Sequence, residues 1–293
     1  MDFKKKIPLV THDVTYPFDI NYLPEEYHQK AEKDLNETSE SRTRSILQLK
    51  LMLNDENSTK AIHFHEDFLC QFLRQNKYDV PKTFKRVQNF VNFRRKNSTY
   101  FQNLDIDTFA TVPDHKSCTV LPWRCREGCT IVLFEMGKWQ PKHLSRDDVL
   151  RITVLTFHQA LRHPLSQING FKVICDYKDA SLRQITCMSP QIMYALYQAI
   201  LDCTPARIKE IHMVNESLPM KAMWAVFKHF LSEKLRNRFL FHNSPEDLLT
   251  YFPKHALPEQ YGGDLSNYYM ETWMKEANRQ QKCSTIHGQD NFF

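Results

Sequence analysis

The sequence predicts an α/β protein in which a small all-helical unit precedes a sheet covered by helices. Three observations carry this. Apolar residues recur at helical spacing across residues 24–97. Two short runs rich in β-formers, "SCTVLPW" and "CTIVLFEM", flank the turn "RCREG" and read as a hairpin. From about residue 118 to 242, strand-like and helix-like segments alternate, which is the order of an α/β sheet.

Residues 1–20 read as extended, with Pro8 and Pro17. Residues 24–53 are charged and helix-prone, and Ile46, Leu49 and Leu53, with Leu47 and Met52 nearby, set the helical period until "LNDENST" ends it. Phe68, Leu69, Phe72 and Leu73 form the next stripe. Asp79 is positioned to cap a helix with Pro81 in its first turn, and Val80, Phe84, Val87 and Val91 follow at i, i+4, i+7 and i+11. After the hairpin, Ser145 and Asp148 are spaced as a capping box. Val149, Leu150, Thr153, Val154, Phe157, Ala160 and Leu161 then share one helix face. Gly170 precedes the strand "FKVICDY", and Ser189-Pro190 opens a helix to about Leu201. "IKEIHMVN" and "NRFLFH" read as strands on either side of one more helix, and Ser244-Pro245 starts a last short one.

The chain has 293 residues, enough for one large domain or two smaller ones, and 42% are hydrophobic, so a sizeable core forms. A net charge of +5 suits contact with anionic partners but is too weak to imply nucleic acid. Residues 1–20 do not read as a signal peptide, and no run of 18 apolar residues predicts a membrane span. Eight scattered cysteines fit free thiols in a reducing cytosol. The expectation is a cytoplasmic protein, monomeric when soluble, whose membrane contact is peripheral. Only six glycines are present, without the clustering a phosphate-cradling loop needs, which argues against nucleotide chemistry and a bound cofactor.

Cys118, Cys125 and Cys129, with His115 upstream, are spaced C-x6-C-x3-C rather than in the paired C-x2-C pattern of structural zinc. H-E-x-x-H and G-x-S-x-G are absent, and His212 sits between apolar neighbours as a hydrogen-bonded core histidine. No catalytic or metal-ligating set is expected. A Cys/His nucleophile pair assembled by the fold stays open as an alternative.

The most informative stretch is "IHMVNESLPMKAMWAVFKHFLSEKLRNRF". At about 100° per residue, Met220, Met223, Trp224, Phe227, Phe230 and Leu231 fall in a stripe about 120° wide. Core packing explains such a stripe, and so does a greasy ligand, which methionine and aromatic groups suit. Basic residues bracket it. Arg207 and Lys209 share a face of an extended segment, and Lys234 and Arg238 share a face where the chain is helical.

Four blocks, "FLCQFLRQNKYDVPKTFKRVQNFVNFR", "GFKVICDYKDASLRQI", "EIHMVNESLPMKAMWAVFKHFLSEKLRNR" and "FPKHALPEQYGGDL", resemble the CRAL-TRIO family, most closely its members that carry tocopherol and retinaldehyde. The resemblance runs in unbroken order from about residue 40 to 268. It implies an extended segment (1–23), a helical N-terminal domain (24–104), an α/β lipid-binding domain with a mixed sheet, covering helices and a gate helix (105–268), and a tail (269–293). The implied gate is residues 218–231, closing an apolar pocket. By resemblance the pocket takes Leu150, Thr153, Val154 and Phe157, then Phe171, Val173 and Cys175, then Leu182, Leu196 and Ile200, and from the gate Met220, Met223, Phe227 and Leu231. Phe157 stands where tocopherol-carrying members have a small polar residue, and Met220 where they have an aromatic one. The implied phosphoinositide contacts are Arg207, Lys209, Lys234, Arg238 and Arg74, while a further basic position of the family is Asn76 here. The implied function is transport of a hydrophobic lipid, with release at phosphoinositide-containing membranes. The alternative is a module that senses lipid without moving it.

Overall fold

Short side-chain caps decide where the helices begin. The Ser41 amide donates to Thr38 Oγ1 at 3.0 Å and the Thr38 amide donates to Ser41 Oγ at 2.8 Å. This reciprocal box starts α2 (Ser39–Asp55). It also splits the helix-prone stretch 24–53, because Asn36 turns left-handed at φ 63° just after α1 (Glu25–Leu35). The sequence reading did not foresee that break. After α3 (Glu66–Gln75), Asp79 caps α4 (Val80–Lys96) by accepting from the Lys82 amide at 3.0 Å. Ser145 and Asp148 form a second capping box at the start of α5 (Arg146–Leu161).

The computed structural model describes residues 25–98, 117–187, 190–266 and 268. The expected extended start, the polar tail, His115 and the boundary near residue 104 lie outside these residues.

Helices α2 to α4 bury Leu49, Leu69, Phe72, Val87 and Phe90 against one another. Phe68, Phe72 and Phe90 meet with ring centroids 5.0 to 5.8 Å apart. The same core takes in Leu150 and Val154 of α5, so the helical unit packs directly on the layer that covers the sheet.

The sheet is mixed and ordered β1-β2-β3-β4-β5. β1 (Cys118–Arg124) and β2 (Thr130–Glu135) form the antiparallel hairpin. β3 (Phe171–Asp176), β4 (Ile208–Val214) and β5 (Phe239–Phe241) follow in parallel. α5 and the short α6 (Pro164–Asn169) connect β2 to β3. α7 (Leu182–Cys187), α8 (Pro190–Tyr197) and a π-helical turn (Gln198–Cys203) connect β3 to β4. α9 (Leu218–Phe227), a 3-10 turn (Lys228–Phe230) and α10 (Glu233–Arg236) connect β4 to β5. Neither α6 nor α7 is legible as a period, each being only six residues long. Gly170, at φ 85°, lets β3 begin against β4: a Cβ there would lie 2.3 Å from the Arg207 carbonyl, which the Phe171 amide bonds at 2.9 Å.

Register aligns Cys118, Phe134, Cys175, Met213 and Phe241 in one row across all five strands. This row belongs to the face under the helices. On the opposite face, Ile131, Leu133, Ile174 and Val214 pack against Leu248, Phe252, Leu257 and Tyr261 of the C-terminal 3-10 turns. His212 lies on that second face, fully buried, bonded to His242 at 2.9 Å and to Glu210 at 3.1 Å.

Arg74 does not occupy the exposed position its expected headgroup contact requires. It is 8% exposed, its Nε and Nη2 donate to the two Glu37 oxygens at 2.7 and 2.6 Å, and its Nη1 donates to Gln167 Oε1 at 2.5 Å. The guanidinium is used up tying the α1–α2 link and α3 to α6. Asn76 is likewise buried, donating to the Phe72 carbonyl at 2.9 Å at the end of α3.

Two predictions follow from these buried groups. Glu37→Ala leaves the Arg74 charge buried without its partner, and a loss of about 3–5 kcal/mol is expected in urea unfolding. A loss under 1 kcal/mol would show that the pair contributes little. Burial holds His158 and His163 down at about 3 and His212 at about 4, against about 6.5 for an exposed imidazole. These histidines are neutral in the fold and protonate in the unfolded chain. Their stabilisation is complete above pH 6.5 and is lost as pH falls from there through 4 to 3, at up to about 1.4 kcal/mol per pH unit for each. Urea midpoints that stay constant from pH 7.5 to 4.5 would contradict this.

Candidate functional site

Helix α5 is buried on two sides, and this splits its predicted face. Val149, Thr153 and Phe157 repeat every four residues and line a cavity above the sheet. Leu150 and Val154 sit one residue on, about 100° further round, and pack into the helical unit instead. Thr153 Oγ1 donates to the Val149 carbonyl at 2.7 Å, so its hydroxyl is satisfied within the helix.

The floor of the cavity is Phe134 of β2, Val173 and Cys175 of β3, Ile208 and Ile211 of β4, and Phe239 of β5. Met193, Leu196, Tyr197 and Ile200 form a wall, and Phe227 and Leu231 line it from the expected gate segment. Met136 and Tyr177 complete the lining at the ends of β2 and β3. The cavity has a volume of about 150 Å³ and opens partly to solvent. Among the described residues no charged side chain lines it. Burial pushes the Cys175 thiol up to about 12, so it stays protonated, a weak donor and not a nucleophile.

The structure therefore brings together Thr153, Phe157, Val173, Cys175, Leu196, Ile200, Phe227 and Leu231 from the residues expected to bind ligand. Phe171 is fully buried and props Phe157 edge-on, ring centroids 5.1 Å apart, without facing the cavity. Met220 and Met223 pack on the core beneath the helices rather than on the cavity. Leu182 is 63% exposed, because α7 points it outward. Sequence reasoning missed Phe134, Met136, Val149, Tyr177, Met193, Tyr197, Ile208, Ile211 and Phe239. The two-residue period that selects Val173 and Cys175 would also select Phe134 and Ile211 once β2 and β4 are known to flank β3.

The gate is not one helix to Leu231. α9 ends at Phe227, tightens to a 3-10 turn, and the chain is extended by Leu231 (ψ 141°). The tightening turns Phe230 outward to 52% exposure while Phe227 and Leu231 stay buried. Leu218 (82%), Val226 and Tyr194 are also exposed on this side, and Tyr194 meets Phe230 at 6.0 Å between ring centroids. α9 packs against α7 and α8, and these groups leave apolar side chains exposed on that layer.

A basic corner lies at the start of β4. Arg207 Nη1 donates to the Ile168 carbonyl at 2.7 Å and Arg238 Nη1 to the Ile208 carbonyl at 2.6 Å. Partial burial holds the ionisation of both below the usual arginine range, and burial with the Arg207 charge does the same to Lys209. Lys209 and Lys234 are exposed. α10 ends at Arg236, so Arg238 does not share a helix face with Lys234; the backbone carbonyl fixes its position instead.

Cys118 lies on the cavity side of the sheet, Cys125 and Cys129 on the other, so they do not converge on one metal. Among the described residues no cluster of three or more His, Cys, Asp or Glu side chains is placed to hold a metal ion, and no helix is long and apolar enough to cross a membrane.

The profile described as "CRAL/TRIO domain" matches residues 114–263. The alpha-tocopherol transfer protein-like protein of Homo sapiens is 31% identical over 252 residues, 86% of this chain and 74% of that protein. Clavesin-1 of Rattus norvegicus is 28% identical over 254 residues, 84% of this chain and 71% of that protein. The crystal structure of Sfh5 shares the fold, with a TM-score of 0.50 at 12% identity, covering 84% of this chain and 99% of Sfh5. With a mixed five-stranded sheet, a helical layer above an apolar cavity and a family match across half its length, the chain belongs to the CRAL-TRIO family of lipid-binding and lipid-transfer proteins.

Proposed function

We propose that the protein carries one neutral hydrophobic lipid, of tocopherol, retinoid or terpenoid type, and delivers it at membranes that display phosphoinositides. The observation that supports this reading is the apolar cavity, uncharged among its described lining residues, with Phe227 and Leu231 on one side. A buried carboxylate or phosphate would find no cation there, and an unpaired buried charge is far more costly than an apolar chain. A lipid chain, by contrast, gains about 0.8 kcal/mol per buried CH₂ on leaving water. The resemblance to a tocopherol transfer protein-like relative supports the cargo class.

Release requires the gate to move. Opening exposes apolar area at about 25 cal/mol per Å². Leu218, Val226, Phe230, Tyr194 and Leu182 already face outward and would enter the interfacial region of a bilayer, while Lys209 and Lys234 would meet acidic headgroups. Arg207 and Arg238 would add their remaining donors from fixed positions. Arg74, buried against Glu37, takes no part in this contact.

Native mass spectrometry with organic extraction tests the cargo: a bound neutral lipid is expected on the wild type and should be lost from Val173→Trp, which fills the floor. A bound phospholipid headgroup, or equal loading of both proteins, would refute the reading. For delivery, Lys209→Ala with Lys234→Ala removes two cations that hold no backbone. At about 1 kcal/mol per cation near the surface, binding to phosphoinositide vesicles should weaken roughly thirty-fold, with lipid loading unchanged. Unaltered vesicle binding would exclude these residues. Tight loading with no transfer between vesicles would favour a lipid sensor over a carrier.

A further inference from the structure

The β1–β2 turn holds a separate chemistry on the face of the sheet away from the cavity. Cys125 and Cys129 close this turn. The Cys125 amide donates to the Cys129 carbonyl at 3.1 Å, and the Cys129 amide donates to Cys125 Sγ at 3.3 Å. Gly128 supplies the φ of 81° that folds the chain back between them. Cys125 Sγ also donates to Glu127 Oε2 at 2.9 Å, and Lys172 Nζ sits 3.2 Å from that same oxygen. Cys129 Sγ donates to the Asn169 carbonyl at 3.3 Å. Both cysteines are buried, while Arg126 and Glu127 at the tip of the turn between them are exposed.

We propose that Cys125 and Cys129 form an oxidisable dithiol that a peroxide converts to a reversible disulfide. Cys129 is the attacking sulfur. The neighbouring Cys125 side chain, with the charges of Lys172 and Lys209, holds Cys129 below the ordinary thiol range, while the Cys129 side chain, burial and the Glu127 carboxylate raise Cys125. The Cys129 thiolate attacks one peroxide oxygen and the O–O bond breaks. Hydroxide leaves and takes up the proton Cys129 released, giving water and a sulfenic acid at Cys129. Glu127 then accepts the Cys125 proton. The Cys125 sulfur attacks the Cys129 sulfur, the S–O bond breaks, and the departing hydroxide takes that proton as a second water. Two thiols lose two electrons and two protons, and one peroxide becomes two waters. A disulfide closing so short a loop gains little from restricting the unfolded chain, which suits a reversible bond better than a permanent staple. Oxidation also removes the thiol donor from the Asn169 carbonyl, on the residue whose Oδ1 receives Lys30 of α1 at 2.6 Å.

The test is differential alkylation of the whole protein before and after dilute hydrogen peroxide. Trypsin cuts after Arg124, Arg126 and Lys138, so the disulfide joins the dipeptide Cys125-Arg126 to the peptide 127–138. That linked species, lighter by two hydrogen atoms and reversed by dithiothreitol, is expected before any change at Cys70 or Cys118. In Cys125→Ser, the reaction should stop at a Cys129 sulfenic acid that dimedone traps. Wild-type protein in which Cys129 stays as alkylatable as Cys118 after peroxide overturns the proposal whether or not the variant folds. So does oxidation of Cys129 to the sulfinic acid without any linked peptide.

Discussion

The structure depends on an apolar sheet face that its own covering helices do not fill. A space of about 150 Å³ remains over β3 and β4. An apolar molecule that fills such a space leaves water and supplies the contacts that the lining lacks. The Thr153 hydroxyl is already bonded within its helix.

The two faces of the sheet differ in what they bury. Cys118, Phe134, Cys175, Met213 and Phe241 share one row, and on the other face Lys172, Glu210 and His212 lie among apolar residues such as Ile174 and Val214. Lys172 bonds Glu210 at 2.8 Å, and Glu210 also meets His212 at 3.1 Å. Lys172 Nζ also lies 5.7 Å from the centroid of the Phe252 ring. A slip of one residue in β3 would drive Lys172 into the cavity and Val173 under the C-terminal turns. The buried charges thus fix the register that keeps the cavity uncharged.

Much of this architecture is legible in the sequence because it rests on local chemistry. The caps at Asp79 and Ser145, the hairpin around "RCREG" and the period of α4 each involve neighbours in the chain. The site is less legible because it is assembled across the sheet. Val173 and Cys175 are readable from alternation, but Phe134 and Ile211 join them only through the β2-β3-β4 order. Leu150 and Val154 share the apolar stripe of Thr153 and Phe157, yet a second layer claims them. Leu182 and Phe230 look equally apolar and face solvent. Arg74 looks like any surface arginine until Glu37 and Gln167, distant in sequence, close around it.

The remaining link is between the gate and the basic corner. Leu235 of α10 is buried with Phe227 and Leu231, the two residues that line the cavity from the expected gate segment. α10 also carries Lys234 and leads directly to Arg238, which is fastened to the Ile208 carbonyl at the edge of β4. A displacement of α9 therefore cannot leave α10 unmoved without breaking the Phe227–Leu231–Leu235 cluster. In the proposed opening, Arg238 would supply the fixed end and Lys234 the moving one. An anionic surface that bound Lys234 more strongly in the displaced position would, by that difference alone, favour opening. In the proposed cycle this coupling requires no change in the sheet, whose buried charges on the far side hold the floor of the cavity still.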